Sequence, residues 1–185
     1  MGEDARFRNA KLAYYRGDFE WAQRQLSILK ASTSQLIAND ALYLSVLITE
    51  NVEDSLTLPL ERFAHAGLLA EQNKDKAAEL VLDSLNHEYP THPLCDDILM
   101  FRAEMARKKH DYDKAIGYLK TIYEKYKEDV LGDDAVFKMA EIYQYDLHQK
   151  DKAREYYEQL IIDYMGSTYV QTSRQRLKEL KSEAQ

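Results

Sequence analysis

Apolar residues recur at helical spacing along most of this chain, and the pattern itself repeats every 37 or 38 residues. Aligning Ala78, Ala115 and Ala153 superimposes the segments AELVLDSLNHEY, AIGYLKTIYEKY and AREYYEQLIIDY. In each segment a large apolar residue stands four and seven positions after the alanine, which puts all three on one face of a helix. Each segment therefore predicts an amphipathic helix with one buried face.

A second predicted helix, with its own small residue, precedes each of these segments. Acidic residues such as Asp133-Asp134 stand at its start, where a carboxylate can accept hydrogen bonds from free helical N–H groups. Small residues at matching heights let two helices approach closely, so we expect the unit to be an antiparallel helical hairpin. The alanine pairs are 12 residues apart in three hairpins and 13 apart in the last: Ala10 and Ala22, Ala66 and Ala78, Ala103 and Ala115, Ala140 and Ala153.

The pattern predicts an all-α fold, an α-solenoid of about four such hairpins in a single domain over residues 1–185. The last predicted helix, 168–183, is polar on the face that a further repeat would cover, so we expect it to be a capping helix. The first hairpin lacks such a polar face, and we expect the chain to be the C-terminal part of a longer protein. The predicted helices span 4–16, 18–31, 36–50, 59–72, 74–89, 95–109, 111–127, 133–146, 150–164 and 168–183.

The second repeat, residues 36–60, breaks the period. Asn39-Asp40-Ala41-Leu42-Tyr43 resembles the start of the other first helices, but only Glu53 to Leu58 remain for the second helix before Pro59, which fits the first turn of the next helix. Two interpretations stay open. Either the solenoid repacks around a kink, or the apolar gap receives a helix or strand from a partner.

The hairpins resemble the tetratricopeptide repeat (TPR) family, in which small residues 12 apart are followed by a proline 12 later. Pro90 stands at that position after Ala78, and Gly17-Asp18-Phe19 and Asp111-Tyr112-Asp113 resemble the inter-helix turn of the family. The resemblance implies a right-handed superhelix. The chain departs from the family in three ways. Its period is longer than 34 residues, and the tryptophan typical of the family repeat is missing. The third position, where the family usually has a small residue, holds a large one (Leu29, Leu85, Ile122, Leu160).

Within that family, the long units with a Tyr-Pro ending resemble bacterial cell-envelope proteins of the outer-membrane-assembly and tol-pal-associated types. This resemblance implies a periplasmic or cell-envelope location, with the cytoplasm as the alternative. The single cysteine, Cys95, excludes an intrachain disulfide and fits either compartment.

In TPR proteins the first helices line a concave groove, and the resemblance carries that role to two sets of residues here. The apolar set stands three residues before the small residue of each first helix: Phe7, Tyr43, Phe63, Met100 and Phe137. The polar set stands just beyond it: Lys11, Tyr14, Glu104, Arg107, Glu141 and Gln144. The alternative is that the apolar column packs against the neighbouring second helices.

Composition narrows the function classes. The net charge of −7 and the absence of a basic stripe disfavour nucleic acid as the main ligand. No run of about 18 apolar residues is present, so no membrane-spanning helix is expected. No P-loop, GxSxG or HExxH motif occurs, and we expect neither an enzyme nor a cofactor. His87, His92 and Cys95 have poor zinc spacing, so a structural metal is not expected.

The sequence therefore predicts a protein-interaction scaffold that binds a peptide or partner protein in a TPR groove. One alternative is a homo-oligomerisation module, in which residues 36–60 form a homodimer contact. Another is a non-catalytic helper domain of a cell-envelope enzyme or assembly complex.

Overall fold

The structure, a computed structural model, describes residues 2–31, 34–52 and 57–182. The chain divides into two compact units, residues 1–95 (unit 1) and 96–185 (unit 2). Each unit is built of α-helices, and the described ranges contain no strand. The predicted all-α fold of antiparallel helical hairpins is confirmed, whereas the single domain and the capping role of the last helix stay predictions.

The ten helices within the described ranges lie close to the predicted ones. None of them is both long enough and apolar enough to cross a membrane. They are α1 (Glu3–Tyr15), α2 (Phe19–Leu29), α3 (Gln35–Asn51), α4 (Leu58–Glu71), α5 (Asp75–Glu88), α6 (Leu94–Lys108), α7 (Tyr112–Lys125), α8 (Gly132–Glu141), α9 (Lys150–Asp163) and α10 (Val170–Ser182). A π-helical turn, Ile142–Asp146, continues α8.

The alanine pairs lie where the helices of each hairpin meet. All eight alanines are buried: Ala103 on α6 is 2% exposed, and the other seven have no solvent exposure at all. The large residues that replace the third small position of the family, Leu29, Leu85, Ile122 and Leu160, are at most 1% exposed. The extra volume therefore fills the interior, where burial of each side chain contributes about 1.5–3 kcal/mol relative to exposure.

The turns between paired helices share one geometry. Gly17 N donates to Tyr14 O and Asp18 N donates to Ala13 O, both at 3.0 Å, which closes the end of α1 in a Schellman motif. The residue at the position of Gly17 has a positive φ in all four hairpins, namely Gly17, Asn73, His110 and His148. At Gly17 (φ 78°) glycine adopts this left-handed conformation without steric cost.

The 13-residue spacing of the last hairpin is explained by the π turn. In the other hairpins the first helix ends in regular α geometry, but here Leu147 N donates to Ile142 O and Gln149 N donates to Tyr143 O. These wider turns accommodate one extra residue between Ala140 and Ala153. The turn at His148 therefore keeps its place relative to Ala153.

Unit 1 contains the irregular second repeat. α3 packs against α2 and α1, and α4 contacts α1 directly as well as pairing with α5. Lys11 on α1 forms an ion pair with Glu71 on α4, with an Nζ–Oε1 distance of 2.6 Å. Of the residues Glu53 to Leu58 that remain for the second helix of this repeat, Glu53–Leu56 lie outside the described residues, and Leu58 already begins α4.

Unit 2 has a continuous core through α6 to α10. Met100, Leu119, Met139 and Leu160, from four successive helices, are buried in one cluster that also includes Val170. Gly132 at the start of α8 allows a close approach: a Cβ there would lie 2.5 Å from Lys127 O and 2.6 Å from Tyr164 Oη. Tyr164 Oη donates to Lys127 O, which ties the end of α9 to the segment before α8.

Candidate partner-binding surface

The predicted groove residues of unit 2 come together on α6, α8 and the π turn. Glu104 and Arg107 on α6 face Glu141 on α8, and Gln144 lies in the π turn. Phe137 is half-buried on the same helix as Glu141. The structure thus brings five of the eleven predicted site residues into one neighbourhood.

Charged side chains join α6 to α8 in a ladder of alternating sign. Lys138 Nζ lies 3.0 Å from Glu104 Oε1. Arg107 Nε donates to Asp146 Oδ2 at 2.8 Å, and its guanidinium also lies 3.7 Å from Glu141 Oε2. Because Arg107 contacts a carboxylate on α8 and one in the π turn, it fixes the orientation of the π turn relative to α6.

The side chains of the π turn point in directions that they would not have in a regular α-helix. Gln144 accepts a hydrogen bond of 2.7 Å from the buried Tyr157 hydroxyl on α9. Tyr145 is 41% exposed, and the guanidinium of Arg176 on α10 lies 5.4 Å from its ring centroid. This distance is typical of a cation–π contact. The turn therefore connects α8 with both α9 and α10.

An aromatic stack borders the ladder. The Phe137 ring lies parallel to that of Tyr169, with centroids 4.3 Å apart and 14° between the planes. Tyr169 Oη donates to Asp134 Oδ1 at 2.7 Å, and Tyr157 meets the edge of Phe137 at 5.9 Å. Two hydrogen-bonded tyrosines therefore pack against Phe137, one stacked on its ring and one in an edge contact, which makes this an ordered apolar element beside the charges.

Burial and neighbouring charges shift the pKa of several groups on and beside this surface. Burial works to lower the pKa of Lys138, but the Glu104 carboxylate outweighs it and raises that pKa. Burial raises the pKa of Asp134, although the Tyr169 hydroxyl opposes the rise. Burial raises the pKa of Tyr157 and of Tyr169. These shifts follow from the burial of the groups and from their hydrogen bonds and ion pairs.

We call this surface the ladder face. It lies entirely in unit 2, and its members are linked by the contacts given above. It consists of Glu104, Arg107, Phe137, Lys138, Glu141, Gln144, Tyr145, Asp146, Tyr169 and Arg176.

The predicted site residues of unit 1 have more varied environments. Tyr43 on α3 is 45% exposed, and Phe7 on α1 is half-buried. Lys11 pairs with Glu71 and lies 5.7 Å above the Tyr15 ring. Burial works to lower the pKa of Lys11, but the hydrogen bond to Glu71 contributes to a net rise. Only part of this set is available to a partner.

Three predicted site residues are buried. Tyr14, Phe63 and Met100 are 5%, 6% and 2% exposed, and Met100 belongs to the core of unit 2. The burial of Phe63 and Met100 agrees with the alternative in which the apolar column packs within the fold, whereas Tyr14 belongs to the polar set. In this conformation they can support a binding surface but cannot contribute much contact area to it.

Five members of the ladder face were not predicted from the sequence: Lys138, Tyr145, Asp146, Tyr169 and Arg176. Tyr145 and Asp146 depend on the π turn, whose signal is the 13-residue spacing from Ala140 to Ala153. Tyr169 and Arg176 belong to the segment around α10, which the sequence identified only as a polar cap. Their aromatic and basic character is visible in the sequence, but their partners are not.

Local contacts stabilise the turn before α6. His92 Nδ1 accepts from Leu94 N at 3.2 Å, and Cys95 Sγ lies 3.4 Å from Pro90 O. Across the residues that the structure describes, no group of three or more His, Cys, Asp or Glu side chains is arranged to hold a metal ion.

Comparison with known proteins identifies the repeat type. The family model described as the tetratricopeptide repeat protein 21 ARM repeat matches residues 46–160, more than half of the chain. The matched range runs from α3 to α9 and includes most of the ladder face. No curated protein matches the chain. The resemblance to TPR-type repeats is thereby confirmed, and the chain belongs to the tetratricopeptide repeat protein 21 ARM-repeat family.

Proposed function

We propose that this chain is a protein-interaction scaffold whose ladder face binds a peptide or a segment of a partner protein. Helical-repeat families of this type suggest protein partners and are generally non-catalytic. The ladder face supports the proposal because it combines exposed charges with a rigid aromatic stack on consecutive first helices. A surface of that composition recognises a polypeptide through both side-chain charge and apolar contact.

The observation that carries the proposal is the position of Arg107. Its guanidinium contacts Glu141 and Asp146. The side chains of Arg107, Glu141 and Asp146 are 33%, 31% and 23% exposed, respectively. The side chain of Arg107 is long and ends in a planar guanidinium. It holds the π turn in place and is still partly exposed, so a ligand can reach it. A scaffold surface built this way is ordered before the partner arrives, which reduces the entropy lost on binding.

The charges of the ladder indicate what the partner carries. Across α6, α8 and the π turn, the ion pairs of the ladder join three carboxylates, Glu104, Glu141 and Asp146, to two cations, Arg107 and Lys138. The side chain of Glu104 is 56% exposed and has the most room for a second contact. We therefore infer a segment with a Lys or Arg for Glu104 and an aromatic or aliphatic side chain for Tyr145.

The proposal is tested by affinity capture with the whole chain, followed by peptide-array mapping of the captured protein. Two substitutions target the ladder face, Glu104→Gln and Tyr145→Ala. Two matched controls lie on exposed or half-buried surface of α7, Glu124→Gln and Tyr118→Ala. We expect about tenfold weaker binding for each ladder variant, which corresponds to about 1.4 kcal/mol. Unchanged affinity in both ladder variants would refute the proposal.

The residues predicted in both units are tested in the same assay with Phe63→Ala and Phe137→Ala. Phe137 lies on the ladder face, whereas Phe63 is buried in unit 1. We expect Phe137→Ala to weaken binding, and Phe63→Ala to lower the stability of unit 1 by about 3–5 kcal/mol. Circular dichroism of both variants separates the two effects.

Homo-oligomerisation through residues 36–60 is the second candidate. On α3, Leu42 and Tyr43 are about half-exposed, and Val52 and Leu58 on either side of the undescribed residues are also exposed. Exposed apolar side chains on one stretch are typical of a contact surface. Sedimentation equilibrium at high concentration tests it, since a monomer excludes a homodimer and a dimer lost in Leu42→Ser supports one.

The cell-envelope location and the helper role for an envelope enzyme or assembly complex rest on the unit length and the Tyr-Pro ending. We keep the envelope location as a proposal, with the cytoplasm as the alternative. Fractionation of cells that express the native gene tests the location, because recovery of the chain only with cytoplasmic markers would exclude the envelope.

A further inference from the structure

α10 carries a basic stripe that the ladder face does not use, contrary to the expectation from the sequence that no basic stripe is present. Its buried side packs on α9 through Val170, Ser173 and Leu180. On a different side, Arg174, Lys178 and Lys181 stand at positions i, i+4 and i+7, so their side chains follow one line along the helix. All three are exposed.

Several cations of the described chain are paired with a carboxylate, but those of the basic stripe are not. Arg176, on the same helix, pairs with Glu179, and ion pairs of this kind occur along α1, α2 and α7 as well. By contrast, no ion pair joins Arg174, Lys178 or Lys181 to any described residue. Three neighbouring cations that repel one another cost stability unless a negative partner neutralises them.

The stripe borders an open space of about 850 Å³, and the described residues that line it, Leu177 and Gln175 among them, all lie on α10. Lys178 occupies the position at which the other first helices carry a small residue, Ala103 or Ala140. An apolar helix seated there would bury the Lys178 charge without compensation, which is unfavourable. A helix that supplies carboxylates at the matching spacing would neutralise it instead.

We propose that the basic stripe of α10 binds an acidic amphipathic helix of a partner protein, with Glu or Asp at i, i+4 and i+7. Such a helix can lie 8–10 Å from α10, the usual interaxial distance, and pair each carboxylate with one cation. Leu177 supplies the small apolar contact at the edge. This surface is distinct from the ladder face, so the inference is independent of the function proposed above.

Two other classes of ligand fit the stripe less well. A membrane-surface helix needs a broad apolar face below its cations, and here the buried side of α10 is already packed on α9. A nucleic acid would meet three cations on a chain of net charge −7, which opposes binding to phosphates. An acidic helix matches both the charge and the length of the stripe.

The test measures fluorescence anisotropy of an 18-residue labelled helical peptide with Glu at i, i+4 and i+7, added to the full chain. A peptide of identical composition, with the three Glu on different faces, controls for net charge. R174Q/K178Q/K181Q removes the stripe, and K30Q/K76Q/K125Q removes three exposed charges elsewhere. Circular dichroism checks that both triple variants remain helical.

We expect the patterned peptide to bind at least about tenfold more tightly than its control, with affinity that falls as salt rises. The stripe variant should lose that difference and the matched control should keep it. In addition, the charge-reversed variant R174E/K178E/K181E should bind a peptide that carries Lys in place of the three Glu. This exchange of specificity would not occur if the stripe had only a structural role.

Several results would overturn the inference. Equal affinity for the two peptides, or an equal loss of affinity in both triple variants, would mean that the stripe attracts the peptide only through nonspecific charge. Tighter binding to anionic vesicles or to single-stranded DNA than to the peptide would assign it to another class of ligand. Concentration-dependent self-association that the stripe variant abolishes would identify a second copy of the chain as the occupant.

Discussion

Arg107 Nε on α6 lies 2.8 Å from Asp146 Oδ2, although the two residues are 39 apart in sequence. The pair forms because the π turn adds one residue after α8 and brings Asp146 toward α6. A local change in helical winding thus creates a long-range contact. The same contact orders the surface that we propose as the binding site.

Replacing Arg107 tests the energetic role of this contact. Arg107→Ala leaves Asp146 and Glu141 close together and only partly exposed, so we expect the free energy of unfolding to fall by roughly 1–2 kcal/mol. Arg107→Lys keeps one charge but not the fork, and its loss should be smaller. Chemical denaturation measures both values.

The matched control is Arg154→Ala on α9. Arg154 pairs with Asp151, whose side chain is 89% exposed, and exposed pairs of this kind contribute little. We expect a change within about 0.5 kcal/mol. Equal losses for Arg107→Ala and Arg154→Ala would show that the contact with Asp146 contributes no more than a surface ion pair.

Removing one residue from the π turn tests its origin. Deletion of Tyr145 restores a 12-residue spacing between Ala140 and Ala153, so α8 can end in regular α geometry. We expect helicity and melting temperature close to those of the unmodified chain. Deletion of Lys108 shortens a 12-residue spacing to 11 and should lower the melting temperature sharply. Similar losses in both deletions would contradict this explanation of the π turn.

Two glycines of unit 2 give opposite expectations. At Gly132 a Cβ would collide with the backbone oxygen of Lys127, so Gly132→Ala should cost roughly 1–3 kcal/mol. At Gly117, in the interior of α7, a Cβ meets open space, and Gly117→Ala should stabilise the chain by about 0.5–1 kcal/mol. Thermal unfolding distinguishes the signs. A stabilising Gly132→Ala would mean that the close approach to Lys127 is absent.

The Tyr123–Asp163 contact predicts how stability depends on alkaline pH. Tyr123 Oη donates to Asp163 at 2.6 Å, and burial together with this carboxylate raises the pKa of Tyr123 to about 12. A raised pKa means that the folded state holds the proton more tightly. The stabilisation is therefore complete below the unfolded pKa of about 10 and is lost as pH rises through about 12.

The free energy of unfolding should fall between pH 9.5 and pH 11.5 in both the unmodified chain and Tyr123→Phe. We expect the fall to be smaller in Tyr123→Phe, by on the order of 1 kcal/mol after allowance for solvent screening. Urea denaturation at both pH values measures the difference. Tyr118→Phe, on the same helix, serves as the control. A parallel pH dependence in all three proteins would argue against the contact as its source.

Much of the fold could be predicted because the repeat depends on the spacing of residues that are near one another in sequence. Alanines at 12-residue intervals and apolar residues at helical positions predicted helices whose ends differ from the observed ones by only a few residues. The hairpin turns were predictable for the same reason, since Asp18 and Asp111 accept from backbone N–H groups three residues later.

The binding surface was only partly predictable because its contacts join distant segments. Glu104, Arg107, Glu141 and Gln144 were identified by register within the family. The contacts of Glu104 with Lys138 and of Arg107 with Asp146 depend on how successive helices lie beside one another, which spacing along one helix does not specify. The contact of Arg176 with the Tyr145 ring depends on the same arrangement. The burial of Phe63 and Met100 has the same explanation.

Hydrogen–deuterium exchange with and without the captured partner tests the central claim, binding at the ladder face, most directly. We predict slower exchange in residues 100–108 and 132–146 on binding, and unchanged exchange in α5 of unit 1, residues 75–88. Binding segments lose solvent access and local opening, and both effects slow amide exchange. Protection confined to residues 35–51, with none on α6, α8 or the π turn, would contradict the proposed site.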